Sequence, residues 1–137
     1  MASLPIPYQH WQMRVSRATD PIGAVVVAEA DLDQAVRLII ATEKGSVPIA
    51  PEKCCRLMPY VDRRPDWAIP YLTREIVDAL NTWEPRIKCD SVTVTWTETF
   101  GQFRVVVRWY PIADVTRRVR ETIVGIDPQT RGLVDAA

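Results

Sequence analysis

The first regular pattern along the chain is an apolar stripe at helical spacing. Its members occupy positions i, i+3, i+4, i+7 and i+8, and they are Leu32, Ala35, Val36, Ile39 and Ile40. This spacing is typical of an amphipathic helix with one buried face. Asp31 and Gln34 match a capping box at the start, and Gly45 is a suitable C-terminal stop. We therefore predict a helix between Asp31 and Gly45, with a short strand before it in residues 23–30.

A second helical stripe follows an irregular connection. Residues 46–64 contain three prolines and no sustained period, so they are predicted to form a long connection without a helix or strand. After it, apolar residues again recur at helical spacing: Ile69, Leu72, Ile76, Ala79, Leu80 and Trp83. Asp66 is predicted to cap this helix. Pro85 disfavours helical geometry at Glu84, so the helix should end near Trp83.

The period then changes from helical spacing to two. Val92, Val94 and Trp96 alternate with threonines, and a returning strand alternates from residue 103 to residue 109 around a turn at residues 99–102. This pattern predicts an antiparallel hairpin. Ile87 and Cys89 have the opposite parity, which predicts a β-bulge near residues 90–91. Residues 115–124 suit a helix by spacing and a strand by composition, and both alternatives stay open.

These elements predict a single α+β domain over residues 1–137. Two amphipathic helices pack on a small, mainly antiparallel sheet, with an N-terminal arm at residues 1–22 and a flexible C-terminal tail at residues 125–137. The length of 137 residues allows one hydrophobic core.

Composition excludes several classes of function. The 17 basic and 17 acidic side chains give a net charge of zero, which argues against a nucleic-acid binder. Five late arginines are predicted to lie on a solvated face: Arg104, Arg108, Arg117, Arg118 and Arg120. No apolar run approaches the roughly 20 residues that span a bilayer, and the start of the chain lacks the pattern of a secretory signal.

One histidine and three cysteines without CxxC spacing predict neither a metal site nor a cofactor. Adjacent Cys54 and Cys55 are predicted to be reduced and buried.

The most specific motif lies where the second helix ends. In the extended segment Glu84-Pro85-Arg86, the acid and the guanidinium are two residues apart and share one face. Two hypotheses explain the pair. In the internal one, it is an ion pair that joins the helix to the sheet, and Arg86→Ala should unfold the domain. In the external one, the pair binds a partner protein, and Arg86→Ala should leave the fold intact and weaken assembly with that partner.

The block "ALNTWEPRIKCDSVTV", between an amphipathic helix and a hairpin, resembles the phage baseplate wedge family that includes baseplate assembly protein W, a lysozyme-like family with a shared Glu-Pro-Arg motif. "DLDQAVRLIIATEKGS" and "AIPYLTREIVDAL" are similar to its two helices, and "YQHWQ" and "KGSVPIAP" to its Mu-like branch. The resemblance covers roughly residues 8–124. It departs from the family at residues 51–55, where a Pro-acid-aromatic-Gly run is usual and this chain has no aromatic residue and no glycine.

The resemblance implies a structural subunit rather than an enzyme. It would be present in several copies in the baseplate of a virion tail, assembled in the host cytoplasm. Its partners would be larger baseplate wedge proteins, the tail sheath protein, and tail tube or hub proteins. The sheet of this subunit would template the first ring of the sheath. The partner-binding residues would be Trp83, Glu84, Pro85 and Arg86, with no catalytic residue.

Two alternatives stay open. Type VI secretion systems use a wedge subunit of the same family, and the motif does not separate the two machines. A lysozyme-like glycosidase would need two carboxylates around a sugar, for which Glu84 with Asp90 or Glu98 are the candidates. The charge of Arg86 beside Glu84 opposes a general-acid role for that carboxyl group.

Overall fold

In the computed structural model, which describes residues 10–15, 23–99, 102–127 and 132–134, helices lie against one face of a four-stranded antiparallel sheet of order β3-β4-β5-β6. A separate two-stranded antiparallel ribbon, β1-β2, contacts the first helix. The helices are α1 Ala28–Ala41, α2 Met58–Val61 and α3 Pro65–Trp83. The strands are β1 Trp11–Met13, β2 Val25–Val27, β3 Ile87–Trp96, β4 Phe103–Pro111, β5 Arg120–Asp127 and β6 Gly132–Val134. The predicted α+β class is confirmed.

The hairpin forms as its alternation predicts. β3 and β4 pair from Ile87 opposite Pro111 to Trp96 opposite Phe103, with a register shift between Cys89 and Ser91. This shift is the predicted bulge, and it turns the early and late apolar residues of β3 to the same face. The inward side chains of β4 are all buried: Phe103, Val105, Val107 and Trp109. The sheet therefore contributes one apolar face to the core and leaves a mainly polar face outside.

The C-terminal part of the chain has more structure than its sequence predicts. The ambiguous segment 115–124 contains no helix, and its last part belongs to β5, which begins at Arg120. β5 continues through Gly125 to Asp127, and β6 pairs with it antiparallel. The region predicted as a flexible tail from residue 125 thus contributes two strand segments, while residues 128–131 and 135–137 lie outside the described residues. Within the predicted N-terminal arm, residues 11–13 form β1.

The start of α1 differs from the prediction. The helix begins at Ala28, Val27 is its N-cap without a side-chain hydrogen bond, and Asp31 is therefore inside the helix rather than its cap. Gln34 does not complete a capping box. Its side-chain amide donates to the carbonyl of Met13 (2.8 Å) and accepts from the amide of Val15 (3.0 Å). The side chain of Gln34 thus bonds to the backbone at the end of β1 and just after it, in the way that a neighbouring strand would.

The second predicted helix is α3, and it ends at Trp83 as expected. It begins at Pro65, so Asp66 lies in its first turn rather than at the cap position. Arg64 occupies the cap position, and its side chain donates a hydrogen bond to the carboxylate of Asp66. Most of the connection between α1 and α3 is irregular as predicted, but its residues 58–61 form the short helix α2. The apolar stripes of α1 and α3 join the inner face of the sheet in one core cluster.

A buried hydrogen-bond chain fixes α1 against the sheet. The indole Nε1 of Trp109 donates to Thr122 Oγ1 (2.7 Å), and Thr122 Oγ1 donates to Asp33 Oδ1 (2.5 Å). Trp109 and Thr122 are both fully buried. Because buried donors are costly when unpaired, this chain fixes the register between α1, β4 and β5.

We expect Thr122→Val to lower the free energy of unfolding by about 2 kcal/mol, because it leaves the buried indole donor of Trp109 without an acceptor. Urea unfolding followed by circular dichroism measures the change. Thr93→Val, at an exposed threonine of β3, is the control and should change stability by less than about 0.5 kcal/mol. Equal midpoints for the two variants would contradict the role given to Thr122.

Candidate functional site

The Glu84-Pro85-Arg86 motif occupies the turn between α3 and β3. The amide of Glu84 donates to the carbonyl of Leu80 (3.0 Å) and closes the helix, and the extended backbone that Pro85 favours follows. The carbonyl of Arg86 accepts from the amide of Ile112 at the end of β4 (3.0 Å). The motif is thus anchored by a helix on one side and by the sheet on the other.

Arg86 binds two carboxylates from different parts of the chain. Its Nε and Nη2 donate to the two carboxylate oxygens of Glu84, at 2.6 and 2.7 Å, which is a bidentate pair. Its Nη1 donates to Oδ2 of Asp31 in α1, at 2.9 Å. We call these three residues, Asp31, Glu84 and Arg86, the staple, because they tie α1 to the junction of α3 and β3.

The staple is mostly removed from water. Asp31 is 1% exposed, Glu84 is 4% exposed, and the Arg86 side chain is 34% exposed. The hydrogen bonds that Arg86 donates to Glu84 hold the pKa of Arg86 above its usual value, against the opposing effect of burial, so the guanidinium stays charged. Two carboxylates face one cation, and the loss of that cation would leave both without their partner.

The ion pair that the internal hypothesis predicts between Glu84 and Arg86 is present, and it extends to Asp31. The sequence predicted the ion pair between Glu84 and Arg86 but missed Asp31, which was assigned to a helix cap. A signal was present, because Asp31 lies four residues before Ala35 and eight before Ile39 and so continues the apolar stripe of α1. An acid in line with a buried stripe requires a buried partner.

A surface groove of ≈ 470 Å³ opens beside the staple, between α1, the end of α3 and the loop that follows α1. All four residues predicted to bind a partner line it: Trp83, Glu84, Pro85 and Arg86. Its other walls are mainly apolar, and they come from Ala35, Leu38, Ile39, Thr42, Val47, Cys54 and Gln12, with Lys53 as an added cation. The groove thus combines apolar surface with two cationic side chains, while Glu84 is engaged by Arg86.

The loop at residues 51–55 contains one backbone position of the kind that glycine adopts most readily, and a cysteine occupies it. Cys54 has φ +77°, a left-handed conformation that a residue with Cβ adopts at a cost of about 1–2 kcal/mol. Cys54 and Cys55 are buried and unpaired with each other, as predicted. Burial raises the pKa of the Cys55 thiol to about 12, so it is a core residue rather than a nucleophile.

The carboxylates considered for a glycosidase do not form an open pair. Both oxygens of Glu84 accept hydrogen bonds from Arg86, and the residue is buried. Asp90 is exposed at the bulge of β3, and Glu98 is exposed after the end of β3. Glu84 therefore has no free oxygen directed at a substrate.

Other candidate chemistry is limited across the described ranges. Of the late arginines, Arg108 pairs with Glu121 (3.8 Å), and Arg120 pairs with Asp114 (3.1 Å) and Glu29. In the described part of the chain, no group of three or more His, Cys, Asp or Glu side chains is placed to hold a metal ion. None of the described helices is long and apolar enough to cross a bilayer.

Comparison with known proteins shows similarity at the level of structure. No protein-family model matches the chain, and no curated protein matches it. A solved structure from Geobacter sulfurreducens, named a "putative tail lysozyme", is 22% identical with a TM-score of 0.64, and the match covers 82% of this chain and 98% of that chain. A chain of the type VI secretion system baseplate complex is 18% identical with a TM-score of 0.60, over 69% of this chain and 88% of that chain.

A chain of the pyocin R2 baseplate, in its post-contraction state, is 26% identical with a TM-score of 0.49, over 84% of this chain and 97% of that chain. At the identities of the first two matches, the similarity shows a shared fold. The chain thus has the fold of a type VI secretion baseplate component and of the protein named for a tail lysozyme.

We expect Arg86→Ala to lower the free energy of unfolding by about 3 kcal/mol, because it leaves the buried carboxylates of Asp31 and Glu84 unpaired. Chemical unfolding of the purified variant measures the loss. Arg74→Ala is the matched control, since Arg74 forms an exposed pair with Asp78 at 3.6 Å in α3, and it should cost less than about 0.5 kcal/mol. An Arg86→Ala variant as stable as the control would show that the staple does not stabilise the fold.

Proposed function

We propose that this protein is a structural baseplate wedge subunit of a contractile tail, which joins larger wedge proteins through the groove beside the staple. The observation that carries the proposal is the position of Trp83, Glu84, Pro85 and Arg86 on one wall of that groove. The staple holds this wall rigid before any partner arrives, which lowers the ordering cost of binding.

The groove has the chemistry of a protein-binding site. Arg86 has five N–H donors and spends three of its hydrogen bonds on Glu84 and Asp31, so donors remain on a side chain that is one-third exposed. Leu38, Ile39 and Trp83 add apolar surface beside it. An amphipathic helix that carries a carboxylate, or that ends in free carbonyls at this point, would satisfy both features.

The structural comparisons support the same class of protein. The type VI secretion baseplate chain shares the fold, and its name places that protein in a baseplate complex. Between a phage-type tail and a secretion machine, the Mu-like matches at residues 8–12 and 44–51 favour the phage-type tail. The site of action would then be the tail baseplate, with assembly in the host cytoplasm and several copies around the tail tube.

The edge of the sheet suits attachment of the sheath. Among the described strands, β3 pairs only with β4, so the backbone groups along its other edge are not used by the sheet. This edge is ten residues long, from Ile87 to Trp96. A strand from a neighbouring sheath subunit could add to it through main-chain hydrogen bonds.

A glycosidase is the competing function, because of the name of the Geobacter sulfurreducens structure. The geometry of the motif does not favour it. Retaining and inverting glycosidases need two carboxyl groups that face the substrate, one of them protonated. Here the two carboxylates nearest each other in the site, Asp31 and Glu84, are both buried and both bound to Arg86.

The proposal is tested by co-expression with the larger baseplate proteins encoded beside it. We expect the wild-type protein to co-purify with one of them, and Val47→Glu with Lys53→Glu to weaken the complex at least about tenfold, because both changes place negative charge in the groove and leave the staple intact. Val115→Glu is the matched control, at a valine that is 97% exposed and absent from the groove lining, and it should bind like the wild type.

Two results would contradict the proposal. One is a wild-type protein that remains alone at every concentration tested and clears peptidoglycan, with the activity lost in Asp90→Asn or Glu98→Gln. The other is a complex that the groove variant and the Val115→Glu control weaken equally, because the contact would then lie elsewhere.

A further inference from the structure

A second cleft, of ≈ 770 Å³, opens between the end of α1, α2 and β5. Most of its described walls are apolar, and the side chains that give them this character are Ile40, Leu57, Met58, Val61, Val124 and Ile126. Its described lining shares only Thr42 with the groove beside the staple. The cleft is therefore a separate surface feature, and neither the staple nor the proposed function accounts for it.

Every charged side chain in the described lining of this cleft is acidic. These residues are Glu43, Asp62 and Asp127, and no lysine, arginine or histidine lines the cleft within the described ranges. Glu43 accepts a hydrogen bond from the amide of Leu57 (3.3 Å), and Asp127 accepts one from Gln102 (3.3 Å). Neither Glu43 nor Asp62 forms an ion pair with a described basic side chain. We call this feature the acidic cleft.

The end of α1 adds a second negative feature to the acidic cleft. The last four carbonyls of a helix have no partner within the helix. The amide of Thr42 donates to the carbonyl of Leu38 (3.0 Å), but the carbonyls of Ile39, Ile40 and Ala41 accept no hydrogen bond from any described residue. The last turn of α1 contains no basic side chain, and its end lines the cleft. The negative end of the helix dipole therefore opens on the cleft without a cation of its own.

These acceptors suit an organic cation rather than a metal ion. In the described part of the chain, no three acidic, histidine or cysteine side chains are close enough together to hold a metal ion, so the carboxylates are spread around the cleft. Separated acceptors are best satisfied by a cation with several donors. The guanidinium of arginine has five N–H donors and the ammonium of lysine has three, and both bind carboxylates and the free carbonyls at helix ends.

We propose that the acidic cleft binds a segment of a partner protein in which an arginine or a lysine is flanked by apolar side chains. The basic group lies between the end of α1 and the carboxylates of Glu43 and Asp62, and the flanking side chains cover the apolar walls. A small free amine would satisfy the charge but leave those walls in water, which is why a protein segment fits the cleft better. The interaction does not rest on the proposed function, because the groove beside the staple is a different surface.

Selection of random peptides of about 12 residues against the immobilised full chain identifies the segment that the cleft binds. A counter-selection against the double variant Glu43→Gln/Asp62→Asn removes peptides that bind elsewhere. Glu43→Gln keeps an acceptor for the amide of Leu57 and Asp62 is exposed, so this variant should stay folded, which circular dichroism checks. We expect the surviving peptides to contain an arginine or a lysine between apolar residues at least about threefold more often than the starting library.

Methionine methyl NMR then locates the bound peptide. Of the three methionines, Met58 lines the cleft and Met13 lies in β1, outside its lining. A synthetic peptide of the strongest selected sequence should shift the methyl signal of Met58 and leave that of Met13 in place. Replacement of the basic residue of the peptide by glutamine should weaken binding at least about tenfold, because the carboxylates and the helix end then lose their cation.

The matched control variant is Asp78→Asn/Glu121→Gln, which makes the same change of charge at two exposed carboxylates outside the cleft. By fluorescence anisotropy of the labelled peptide, the control should bind within about twofold of the wild type, and Glu43→Gln/Asp62→Asn at least about tenfold more weakly. Three results would overturn the proposal. They are a selection that leaves no peptide or no excess of basic residues, a Met58 signal that the peptide does not shift, and equal losses in the two double variants.

Discussion

The contact on which the rest of this structure depends is the binding of one guanidinium to two buried carboxylates. Arg86 holds Glu84 with two hydrogen bonds and Asp31 with a third. Each carboxylate would be costly to bury alone, and the cation makes their burial possible. Because the three residues come from α1 and from the turn between α3 and β3, the same contact decides how the two long helices and the sheet meet.

The first turns of α1 are the hub of this arrangement. Asp31 reaches the turn after α3, and two residues later Asp33 accepts a hydrogen bond from Thr122 and pairs with Arg37. The first turns of α1 are thus bonded both to the turn after α3 and to β5. This explains how the groove keeps its shape, since Glu84 and Arg86, which line it, are bonded to each other and, through Arg86, to Asp31 of α1. The wall of the groove and the internal contact are two sides of one motif.

The sequence predicted the elements that depend on local pattern and missed those that depend on distant partners. The stripe of α3, its end before Pro85 and the bulge of β3 follow from spacing and parity alone, and each is present. Asp31 looked like a helix cap, because its true partner, Arg86, is 55 residues away along the chain. The sequence left residues 120–124 open between helix and strand and assigned residues 125–127 to a tail, since the strand β5 depends on pairing with β4.

A double-mutant cycle between Asp31 and Arg86 tests the central claim most directly. The free energies of unfolding of wild type, Asp31→Asn, Arg86→Ala and the double variant are measured in urea under one set of conditions. If the staple organises the fold, the double variant loses at least about 1.5 kcal/mol less than the sum of the single variants, because the two residues act as a unit. Losses that are additive to within about 0.5 kcal/mol would contradict this account, because they would show that Asp31 and Arg86 stabilise the fold independently of each other.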